Sequence, residues 1–192
     1  MCCAEGREET INCPLDCEYL KDAHRHAKEQ KIDFASLPNH DIEITEEFLQ
    51  RNEILLAFVA IAIYEGAIGA EGATDWDVRE GLQSLIAKYR GTEGATENQL
   101  AVAIAGKIES RIADMRERET AASGKTSIED QALLGVLAFL QRLEYSHNNG
   151  RKRCRAFIDF LGEFYNPADE AALSDDEGQT EDPEAEDPMV MF

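Results

Sequence analysis

Apolar residues return at three- and four-residue intervals through most of this chain, and that period confines it to helices. Val78, Leu82, Leu85 and Ile86 form one stripe, Leu100, Ile104, Ile108 and Ile112 a second, and Leu133, Leu137 and Leu140 a third. Such spacing gathers side chains on one face of a 3.6-residue helix, whereas a strand would scatter them to both sides. The short alternation Asp41-Ile42-Glu43-Ile44 is a lone extended rung without a partner. The expected fold class is all-α: a bundle of five to six helices with a short N-terminal cysteine arm and a disordered acidic C-terminal tail.

Local signals place the helix ends. Thr74 with Asp77, Thr96 with Gln99, and Thr126 with Glu129 have the spacing of capping boxes, in which the N-cap and a side chain three residues on satisfy each other's backbone N–H. Gly91 and Gly150 suit the ends of the helices begun by the first and third boxes. A helix from Thr45 to about Gly66 carries Glu46 and Glu47 where negative charge suits the dipole. It is apolar on nearly every face, which predicts a central position. A last helix runs from near Arg151 to Tyr165 and stops at Asn166-Pro167, with Phe157, Ile158, Leu161 and Phe164 facing inward. Glu-Gly-Ala-Thr occurs at both 71–74 and 93–96. Two copies read as shared helix-start chemistry, since a solenoid needs about three repeats.

Three regions follow: 1–31, a cysteine arm and first helix; 32–166, the helical bundle; and 167–192, the tail. A chain of 192 residues is long enough for one sizeable core. Nineteen Lys and Arg against thirty-nine Asp and Glu leave a net charge of −20, which disfavours direct binding to nucleic acid, where phosphates must be neutralised. Residues 167–192 hold ten of the acidic side chains and no Lys or Arg, so half the imbalance sits there and disorder is expected. The longest apolar run, Ile54 to Tyr64, is about half of the roughly 20 residues that a bilayer core demands, so no membrane span is expected. No basic segment leads into an apolar stretch at the start of the chain, and a cytoplasmic location is the expectation.

Four of the five cysteines, Cys2, Cys3, Cys13 and Cys17, fall in the first seventeen residues. In a reducing compartment such clustering points to a metal and away from disulfides. Pro14 suits an early helical position with Asn12 or Cys13 as cap, so Cys13 and Cys17, four apart, would share a helical face and chelate one ion. At a helix N-terminus Cys13 would gain thiolate character. The arm must return Cys2 or Cys3, and both for a four-cysteine site. Zinc is the first expectation and an iron–sulfur cluster the runner-up. His24 and His26 lie too far along a continuous helix to join, because each residue adds about 1.5 Å.

Cys2-Cys3 followed by Ile11-Asn12-Cys13-Pro14-Leu15-Asp16-Cys17-Glu18-Tyr19-Leu20 resembles the N-terminal motif of an uncharacterised group of bacterial proteins in which a helical region follows. The likeness covers about twenty residues, and Ala4 stands where the group has glycine. It implies that the four cysteines act together.

Other constellations have plainer readings. Glu144 and His147 make a single Glu-x-x-His, whereas di-iron bundles need two. Arg151, Lys152, Arg153 and Arg155 form the one dense basic patch, able to bind a phosphate, a nucleic acid or the tethered acidic tail. Those cations would lower the pKa of Cys154, a candidate nucleophile without a neighbouring base. The apolar Met189-Val190-Met191-Phe192 after the acidic stretch has the form of a docking motif for a protein partner. The tip resembles that of bacterial single-stranded-DNA-binding proteins, whose acidic tail closes in Phe and recruits partners. The function expected is a cytosolic, non-enzymatic interaction protein with a thiolate zinc site anchoring its N-terminus. The alternatives are a redox or metal sensor with a labile cluster, and an enzyme using the metal or Cys154.

Overall fold

The structure, a computed structural model, describes residues 6–11, 13–26 and 37–164. Cys2, Cys3 and the expected acidic tail with its Met189–Phe192 tip lie outside the described residues. Among the described residues there are seven helices and no strand: α1 Glu18–His26, α2 Glu46–Arg51, α3 Glu53–Gly69, α4 Asp75–Arg90, α5 Gln99–Ser123, α6 Asp130–His147 and α7 Ala156–Phe164. None of them is long and apolar enough to cross a membrane.

The apolar stripes meet as their spacing requires. α5 packs against α3 and α4, α6 packs against α4 and α3, and α7 lies across α3, α6 and α4. Val78, Leu82 and Ile86 of α4, Ile104 and Ile108 of α5, and Leu133 and Leu137 of α6 are fully buried. Each such side chain stabilises the fold by about 1.5–3 kcal/mol relative to exposure. Two glycines let backbones touch: a Cβ on Gly81 would meet Ala101 O at 3.0 Å, and one on Gly66 would meet Ile104 Cα at 3.2 Å. α5 therefore crosses both α4 and α3 at close range.

The capping box at Thr74 forms, with the Asp77 carboxylate accepting from Thr74 N–H at 2.8 Å and from its hydroxyl at 2.7 Å. Gly91 ends α4 in the left-handed region, at φ 69°. The other two boxes do not form. Asn98, whose amide oxygen accepts from the N–H groups of Leu100 and Ala101, caps α5, and the Thr96 hydroxyl turns to Glu80. α6 begins after Glu129, because Thr126 and Ser127 are both held by the Glu119 carboxylate at the end of α5. At α5 the Asn98 amide oxygen takes the place of the Thr96 hydroxyl, whereas at α6 the Thr126 hydroxyl is drawn away by Glu119 and, among the described residues, no side chain caps the helix.

The helix expected from Thr45 to Gly66 is interrupted at Asn52, whose side-chain amide donates to Phe48 O at 2.8 Å and closes α2 before α3 begins. α3 is central yet leaves Ile54 and Ile68 exposed. α6 ends at His147, ahead of Gly150, which instead turns the following loop at φ 79°. α7 starts at Ala156 and not near Arg151, since residues 148–155 are drawn into contact with the N-terminal segment.

Candidate functional site

The N-terminal segment is sewn to the 148–155 loop, and Glu8 is the stitch. Its backbone sits in the left-handed region at φ 57°, uncommon for a non-glycine residue, and its side chain is buried. The surroundings impose this. Glu8 O accepts the Arg153 N–H at 2.7 Å, and its carboxylate accepts the Arg155 N–H at 3.0 Å and the Asn149 side-chain amide at 2.8 Å. The Arg151 guanidinium also donates to Arg7 O.

The chain then passes Cys13 and turns, with Cys17 N–H donating to Pro14 O at 3.1 Å. Cys17 C=O accepts from Leu20 and Lys21, so Cys17 stands at the entry to α1. Cys13 and Cys17 consequently do not share a helical face, and Cys13 is not at a helix N-terminus: Pro14 opens a tight turn in place of the first helical turn. Cys13 is buried at the edge of a cleft of about 350 Å³ shared with Arg155, while Cys17 is partly exposed. Both are free thiols.

α1 carries His24 to the junction. Its Nε2 lies 3.0 Å from Glu8 Oε1 and its Nδ1 2.9 Å from Asp159 Oδ2 in the first turn of α7. Burial alone would push the imidazole pKa down, but the bonds to Asp159 and Glu8 raise it to about 9. The ring is then an imidazolium donating from both nitrogens, with neither left for a metal or a substrate proton. Glu8 shows the complementary shift: burial raises it, yet His24, the Arg155 N–H and the Asn149 amide together hold its carboxyl below the usual range.

A second carboxylate meets the start of α7. Asp75, fully buried, accepts the N–H groups of Phe157 at 3.0 Å and Ile158 at 3.2 Å, so a side chain of α4 caps α7. Burial pushes its carboxyl up to about 7 despite those bonds. Cys154, wedged beside it and fully buried, has its thiol pushed up, first by burial and then by the Asp75 charge. The expected lowering by neighbouring cations is thus reversed: Arg151 turns to Arg7, Lys152 and Arg153 point outward, and the thiol faces a carboxyl. It is a poor nucleophile.

Glu144, fully buried in α6, is bound by Arg79 through Nε at 2.6 Å and a terminal nitrogen at 3.1 Å, and by the Asn148 amide at 2.8 Å. Arg79 is itself sandwiched between Trp76 and Tyr145. His147 bonds Leu143 O and lies against Phe160, so the Glu-x-x-His pair points its two groups to different partners. Among the described residues no group of three or more His, Cys, Asp or Glu is placed to hold a metal, and the expected quartet is represented there by Cys13 and Cys17 alone.

Sequence reasoning passed over Glu8, Asp75 and Asp159. One signal was available: Asp159 interrupts the run Ala156-Phe157-Ile158 and Phe160-Leu161, and a carboxylate inside an apolar helix calls for a buried partner. Searches of protein-family models, curated proteins and solved structures gave no match.

Proposed function

We propose that the chain is a cytosolic, non-enzymatic interaction protein, a helical bundle that keeps its N-terminal segment fastened in place. The observation that carries this reading is the Glu8–His24–Asp159 linkage, which ties residues 6–26 to α7. Of the side chains best suited to chemistry, His24, Asp75 and Glu144 each hold one element against another, and Cys154 is buried with its sulfur accepting the Asn149 N–H of its own loop. Zinc bound by Cys2, Cys3, Cys13 and Cys17 completes the fastening in this reading, which rests on the clustering of four thiols within the first seventeen residues. Free thiols suit a reducing compartment. The tail tip, Met189, Val190, Met191 and Phe192, is the contact offered to a protein partner.

Elemental analysis of anaerobically purified protein tests the metal. About one zinc per chain is expected, lost in Cys13→Ser while the bundle keeps its helical signal. Metal-free protein would remove the site from the reading, and iron with visible absorbance would favour the sensor alternative.

A further inference from the structure

Beside the junction, the turn before α4 and the loop before α7 enclose an open cleft of about 670 Å³, with Gly72 and Trp76 on one wall and Gly150, Lys152 and Arg153 on the other. Its carboxylate, Asp77, is occupied by Thr74 and by the Asn98 amide at 2.8 Å. Lys152 and Arg153 are exposed at the rim. Trp76 is fixed across the mouth, its indole N–H donating to Arg151 O at 2.8 Å and its ring lying 4.4 Å from the Arg79 guanidinium. The cleft therefore offers two outward cations beside a held aromatic face, in a protein whose net charge is strongly negative.

We propose that the acidic stretch 169–187 of the same chain seats in this cleft, its carboxylates on Lys152 and Arg153 and its backbone against Trp76. Charge complementarity selects it, because the stretch holds ten Asp and Glu and no Lys or Arg. Reach permits it. The nine residues of α7 carry the chain about 13 Å from the loop to Phe164, and the eleven residues from there to Asp175 can span up to about 35–40 Å when extended. Tethering gives an effective concentration on the order of millimolar, whereas a free polyanion has to approach a body that is itself acidic. At physiological salt charges screen one another beyond about 8 Å, so the rim cations act locally and the overall negative charge does not repel the stretch once it is seated. This goes beyond the anchoring role proposed above and does not depend on the metal.

Trp76 is the only tryptophan and reports directly on the cleft. In the full chain at about 20 mM salt, acrylamide should quench Trp76 about twofold less than in Lys152→Glu/Arg153→Glu, or than in a chain with Asp175, Asp176, Glu177, Glu181 and Asp182 changed to their amides. Raising salt to about 500 mM should erase the difference. Adding Asp175→Lys, Asp176→Lys and Glu177→Lys to the charge-reversed cleft should restore protection, which damage to the fold would not do. Equal quenching in all chains at low salt overturns the proposal. So does protection that grows with protein concentration, which would place another copy's acidic stretch in the cleft.

Discussion

His24 and Asp159 are 135 residues apart in the chain and 2.9 Å apart in space, joined Nδ1 to Oδ2 with both side chains nearly buried. Because His24 meets Glu8 on its other edge, one ring couples the N-terminal segment to the final helix.

That coupling sets a pH window. A histidine raised to about 9 stabilises the folded state fully below its ordinary value of about 6.5, and the contribution, on the order of 3 kcal/mol, drains away as pH rises through about 9. Glu8 is depressed, so its share is present above its ordinary value and lost as pH falls through the lowered one. Residues 6–26 are held hardest between these limits. Trypsin cleavage after Lys21 and Arg25, normalised to a peptide control, should rise about tenfold between pH 7.5 and pH 10. A flat ratio would show that the ring is not the clasp.

Asp75 has the opposite pH sign from Glu8. A carboxyl raised to about 7 favours folding while protonated, and that bias is lost as pH climbs through about 7. Asp75→Asn should therefore lose ground to the natural chain at pH 5 and gain on it at pH 8 in urea unfolding. Asp75→Ala, which removes both acceptors from α7 as well, should follow the same pH trend and lie about 1–2 kcal/mol below Asp75→Asn at each pH.

Arg79→Met leaves the Glu144 carboxylate buried without its cation, at a cost of about 3–5 kcal/mol. Pairing it with Glu144→Gln should recover more than half of that loss in a double-mutant cycle. Additive losses would mean that the two groups do not act as a pair.

A Cβ on Gly135 would stand 2.4 Å from Phe48 Cζ, where the ring of α2 lies on the backbone of α6. Gly135→Ala should destabilise by about 1–3 kcal/mol in the natural chain and by much less in a Phe48→Ala background, as thermal unfolding of the four chains would reveal.

In chelator-treated protein, Cys17 should react with a disulfide reagent within the mixing time of a bench assay, and Cys154 only on the timescale of global unfolding. Rapid labelling of Cys154 in folded protein would contradict its burial.

The helical class was readable because apolar stripes at 78–86, 100–112 and 133–140 are repeated local signals, each consistent with the next. The Thr74 box was readable for the same reason: donor and acceptor are three residues apart. Thr96 and Thr126 misled because their rivals were equally local or lay on another helix, Asn98 in one case and Glu119 in the other. The junction was the least legible part. Glu8 and Asp75 look in sequence like ordinary solvated carboxylates, and only Asp159 stands out inside an apolar run; the partners that bury all three lie 16 to 147 residues away. The cysteine pair was seen, but its helical geometry was lost to the turn that Pro14 opens.

The hydrogen-bond partners that Glu8 finds near α7, Asn149, Arg153 and Arg155, all come late in the chain. On a ribosome Glu8 is thus made well before the residues that seat it. Until Asn149, Arg153 and Arg155 emerge, the buried carboxylate of Glu8 has no seat, and the segment that bears Cys13 and Cys17 is fastened only when the end of the bundle is made.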